Sequence, residues 1–95
     1  MGGTAWCDAR RVRTYLVEAY GASSAAAYSD ARRRAARAAE LGTGVRYVRT
    51  TFLPEEETLL HVFEVGSAAE LRRAVEEAAL VYDRIVEAIE ARGAA

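Results

Sequence analysis

The sequence has no lysine: all 13 basic residues are arginine. We read this as the coding bias of a GC-rich genome. Cysteine occurs once, at Cys7, which excludes an internal disulfide and a cysteine-only zinc site. Histidine, tryptophan and proline also occur once each, as His61, Trp6 and Pro54. No apolar run is long enough to span a bilayer. The start, MGGTAWCDARR, lacks the apolar core of a signal peptide. Neither sign of charge dominates, and a net charge of -1 supplies no field to draw in nucleic acid or a membrane. These absences point to a cytoplasmic protein with no nucleic-acid or membrane partner.

What is present fits one small domain. Of 95 residues, 52% are apolar, enough for a core. Much of that is alanine, which buries little area, so a homodimer is expected. Residues 1–10 read as a flexible leader, 11–92 as the domain and 93–95 as a tail.

The chain centres on Thr50 to Val65. Leu59 to Phe63 is almost wholly apolar, as in a strand covered on both faces, yet it carries His61. Upstream, Arg11 to Tyr20 is β-branched and aromatic, the pattern of a first strand. Ser23 or Ser24 caps a helix in which Tyr28, Ala31, Ala35, Ala38 and Leu41 form one stripe. Gly42 closes that helix, where a left-handed residue is expected. A second strand runs from Gly44 to Leu53, with Val45, Tyr47, Arg49 and Thr51 on one face. Pro54 and Glu55, Glu56 and Glu57 form a solvated turn before the third strand, Thr58 to Val65. Ser67 and Glu70 make a capping box for a second helix that buries Leu71, Ala74, Val75 and Ala78. The last segment fits either helix or strand. A break at Leu80 to Asp83 and a fourth strand from Arg84 to Ala91 complete the sheet.

The order is therefore βαββαβ, a ferredoxin-like α+β sandwich. Its antiparallel four-stranded sheet has strands one and three central and two helices on one face. A second copy packed sheet to sheet, as in a dimeric α+β barrel, would cover the other face.

The segments RTYLVEAY, GVRYVRTTFLPEEETLLHVFEV, SAAELRRAVEEA and YDRIVEAIE resemble, in order and spacing, a family of small actinobacterial proteins. It is a ferredoxin-like domain family of unknown function, typified by a nickel-binding protein. The resemblance covers Arg13 to Ala91. It implies a dimer that binds nickel or a related divalent metal. Imidazole suits nickel, but with one histidine such a site requires carboxylates, Cys7 or the His61 of a second copy.

Face by face, Tyr15, Val17 and Ala19 are expected toward the helices, and Thr14, Leu16 and Glu18 toward the open side. Tyr47, Arg49 and His61 are placed with Glu18 on that open side. A carboxylate beside the imidazole would suit a general base or a metal ligand; a satisfied core histidine is the structural alternative. Tyr82 and Asp83 lie at the last turn, at a cleft mouth, where Asp83 can equally cap the turn. The arginines Arg32, Arg33, Arg34 and Arg37 read as a solvated helix face. The sequence contains no nucleophile elbow, phosphate loop or dinucleotide fingerprint.

Two functions follow as expectations. One is a small homodimeric protein that binds a small molecule or metal ion, with Glu18, Tyr47, Arg49, His61, Tyr82 and Asp83 at the site. The other is a dimeric enzyme of secondary metabolism, a cyclase, isomerase or cofactor-free oxygenase, with His61 as base.

Overall fold

A computed structural model describes residues 12–89. Cys7 and the expected leader and tail lie outside them. Six elements follow in order: β1 Arg13–Tyr20, α1 Ala25–Leu41, β2 Arg46–Leu53, β3 Thr58–Val65, α2 Ala68–Glu77 and β4 Arg84–Ala88. The strands form one antiparallel sheet in the order β2-β3-β1-β4, with β3 and β1 central. This is the ferredoxin-like βαββαβ arrangement.

One sheet face and both helices enclose the core. It joins Tyr15, Val17, Phe63 and Val65 to Ala35 and Ala38 of α1 and to Leu71, Ala74, Val75 and Ala78 of α2 and its end. The alanines of α1 bring its backbone close to the sheet. Both helices begin as their sequences dictate: Ser24 Oγ accepts from the Ala27 amide and Ser67 Oγ from the Glu70 amide.

Gly42 departs from expectation. Its backbone is extended, at φ -88, not left-handed. A β-carbon there would lie 2.7 Å from Val45 Cγ2 and 2.9 Å from Ala74 Cβ. Glycine is required by close approach, where β2 enters beneath the two helices.

The second helix ends in a motif that the sequence hides. Leu80 N donates to Val75 O and Ala79 N to Glu76 O, the paired bonds of a Schellman turn. The position that normally holds glycine is Ala79, at φ 59. The turn between β2 and β3 has a similar residue, Glu57, at φ 50. Its carbonyl accepts from the Gly21 and Ala22 amides, which ties this turn to the end of β1.

Strand β2 contains an irregularity. Tyr47 pairs with Phe63, but Arg49 pairs with Val62, so the register shifts at Val48. A one-residue bulge moves every later side chain to the opposite face. Tyr47 therefore shares the helix side with Thr50 and Phe52, while Arg46, Arg49 and Thr51 share the open side. Unbroken alternation, which put Tyr47 with Arg49, is corrected here.

No helix among the described residues is long and apolar enough to cross a membrane.

Candidate functional site

The strand register decides where the histidine goes. Directly paired residues of antiparallel strands share a face. Val17 pairs with His61, and Glu18 pairs with Leu60. His61 thus lies on the helix side with Val17, and Glu18 lies on the open side. The expected Glu18–His61 pair does not exist. The alternation of β3 places His61 in the same row as Leu59, Phe63 and Val65, all of them buried.

His61 has no solvent exposure. Its Nδ1 lies 2.7 Å from Thr50 Oγ1, which lies 2.5 Å from Tyr47 Oη. The bulge makes this relay possible, since it turns Tyr47 and Thr50 to one side. The other ring nitrogen, Nε2, has no hydrogen-bond partner among the described residues. Burial pushes the imidazole pKa down to about 4, so the ring is neutral at physiological pH.

The geometry does not fit a metal at His61. Nδ1 is engaged, Nε2 is enclosed, and no group of three His, Cys, Asp or Glu side chains converges among the described residues. A second His61 cannot meet it across the open sheet face, because the imidazole lies on the other side of the sheet.

The remaining predicted residues serve different places. Glu18 Oε1 accepts from Tyr20 Oη at 2.7 Å and from Arg84 Nε at 3.0 Å on the open face. The Tyr20 hydroxyl foremost, then the Arg84 guanidinium, hold its carboxyl below the usual range, against opposing desolvation. Arg49 is exposed on the open face opposite Val62. Asp83 joins β4 to β1: its amide donates to Glu18 O and its Oδ2 accepts from the Tyr20 amide, both at 2.7 Å. Tyr82 Oη donates to Glu76 Oε2 at 3.0 Å, and burial first, then this bond, raise its pKa. The six predicted residues do not converge on one site.

A cleft lies elsewhere, between α1, the end of β1 and the segment after α2. It encloses about 410 Å³. Ala19 and Leu59 of the sheet, Ala27 and Ala31 of α1, and Leu80 and Val81 make its apolar walls. Asp30 and Arg34 also line it. Arg34 Nε donates to Asp30 Oδ2 at 2.8 Å, and its Nη1 donates to Ala79 O at 3.3 Å. The left-handed Ala79 therefore lies in the wall. From the sequence, Arg34 reads only as part of a solvated helix face. The one sequence signal that could have pointed to a cleft is the small size of Ala27 and Ala31, which leaves space beside the sheet.

The open face carries an apolar row across three strands, Val62, Leu16 and Val86, set by direct pairing. Leu60 extends it in the next row. Arg46–Glu64 at 2.6 Å and Glu18–Arg84 at 3.0 Å flank it as ion pairs.

No family model matches the sequence, and no curated protein matches it significantly. Among solved structures the chain is similar to SCO4226 from Streptomyces coelicolor A3(2), known from its crystal structure. The TM-score is 0.69 at 17% identity, over 83% of this chain and 99% of that one. A likeness at this identity shows the fold alone.

Proposed function

We propose that this is a small homodimeric protein that binds a small, largely apolar organic molecule in the cleft between its sheet and α1. The cleft carries the reading. Its volume of about 410 Å³ falls within the range of small-ligand sites, and its walls are aliphatic with few polar groups. The homodimer rests on Leu16, Leu60 and Val86 of the open face, half-buried in one copy, which two copies cover when they pack sheet to sheet about a twofold axis. The catalytic reading with His61 as base has less support, since a neutral, enclosed imidazole does not meet substrate. Nickel at His61 has less for the same geometric reason.

The test is titration with N-phenyl-1-naphthylamine, a neutral apolar fluorophore. The wild type is expected to show saturable binding at one site per protomer. Ala31→Phe, which fills the cleft, is expected to abolish it with folding intact by circular dichroism. Absence of saturable binding, or equal binding by the variant, would contradict the proposal.

A further inference from the structure

We propose that a second hollow, between α1 and β2, is an oxyanion site in which a phosphate-class anion is held by Arg32, Arg33 and the Tyr47 hydroxyl. It is independent of the apolar cleft.

Helix geometry separates the two. Ala27, Asp30, Ala31 and Arg34 line the cleft. Ser29, Arg32, Arg33 and Ala36 line the hollow together with Tyr47 of β2, and it encloses about 290 Å³. The second stripe follows the first by two residues, about 200° around the helix.

Guanidinium and hydroxyl groups line this hollow, and no carboxylate does. Arg32 Cζ lies over the Tyr28 ring at 5.7 Å, and Tyr28 packs against Phe52 at 5.5 Å. Arg32 makes no ion pair among the described residues. A guanidinium held by its face keeps its N–H edge for an oxyanion. Arg33 Nη2 donates to Asp30 Oδ1 at 3.0 Å, and Asp30 also pairs with Arg34. With both of those neighbours counted, three guanidinium groups stand against one carboxylate.

Tyr47 couples the hollow to the core. Its hydroxyl is bonded to Thr50 Oγ1, and Thr50 Oγ1 to His61 Nδ1. Tyr47 has one proton, so it donates either to Thr50 or to an anion. Donation to the anion requires Thr50 to donate to Tyr47, and Nδ1–H to donate to Thr50. An occupied hollow therefore selects the Nδ1–H tautomer of a histidine that solvent does not reach.

His61 is the only histidine, so its ring signals are unambiguous. The experiment titrates the isotope-labelled full chain with sodium phosphate at neutral pH and constant ionic strength, with sodium chloride as control. Ring nitrogen–proton correlation spectra are the readout. Phosphate is expected to shift the ring signals saturably, and the saturated protein to carry its ring proton on Nδ1. Arg32→Gln, an exposed substitution, should weaken phosphate about tenfold with the fold unchanged. Phenyl phosphate in parallel separates the sources: tighter binding than phosphate assigns an ester, equal binding the free ion. No saturable response, the same response to chloride, or undiminished binding by Arg32→Gln would overturn the site. A saturated protein with its ring proton on Nε2 would overturn the contact with Tyr47.

Discussion

Thr50 Oγ1 stands 2.7 Å from His61 Nδ1, and that hydroxyl is the imidazole's one hydrogen-bond partner among the described residues. The pair is the polar centre of an otherwise aliphatic and aromatic sheet face. Two directions of the relay are self-consistent. Tyr47 donates to Thr50 and Thr50 to Nδ1, or Nδ1–H donates to Thr50 and Thr50 to Tyr47. Either leaves Nε2 enclosed without a partner.

That enclosure makes stability depend on pH. The folded imidazole has a pKa of about 4 against 6.5 unfolded. Between those values the unfolded chain binds a proton that the folded chain does not. Stability is then fully present above about pH 6.5 and declines as the pH falls toward 4, by about 3 kcal/mol. Below pH 4 the histidine adds no further loss. Glu18 and Asp30, whose pKa values are lowered, lose their own contributions at acid pH. The difference between wild type and His61→Leu in urea unfolding isolates the histidine. An identical slope for both proteins between pH 6.5 and 4 would contradict the assignment.

Thr50→Val keeps the shape of the side chain and removes its hydroxyl. Both imidazole nitrogens are then unpaired, and a loss of about 1–3 kcal/mol is expected. Thr50→Ser retains the hydroxyl and should lose less. Chemical denaturation of the two variants checks this order.

Backbone geometry gives two predictions of opposite sign. Ala79→Gly relieves a left-handed alanine in a Schellman turn and should stabilise by about 1 kcal/mol, raising Tm by about 4–8 °C. Gly42→Ala, at an ordinary φ, should destabilise by about 1–3 kcal/mol because its β-carbon meets Val45 and Ala74. Thermal unfolding measures both.

The open face sets the fifth prediction. Leu16 lies between Val62 and Val86 in the apolar row. Leu16→Asp should convert a dimer to a monomer in analytical ultracentrifugation, with the secondary structure retained. Monomeric wild-type protein would contradict the sheet-to-sheet dimer.

Fold was legible where periodicity is strong. The third strand, both serine caps and the buried stripe of α2 appear as the pattern predicts, because alternation and capping are local. The faces of β2 were not legible. A bulge at Val48 has no local signature in GVRYVRTTFL, and it reverses every later side chain. Pairing register was equally hidden, and it alone separates His61 from Glu18. The cleft is assembled from four distant segments in which alanine is the commonest residue, so no motif marks it. Ala79 occupies a position where glycine is the readable signal.

Ligand is expected to enter between the sheet and α1. Amide nitrogen–proton correlation spectra recorded during titration with N-phenyl-1-naphthylamine test it most directly. Binding in the cleft concentrates the shifts at Ala19–Ala22, Ala27–Arg34, Leu59 and Ala79–Val81. Shifts concentrated instead at Leu16, Leu60, Val62 and Val86 would place the ligand on the open face and contradict it.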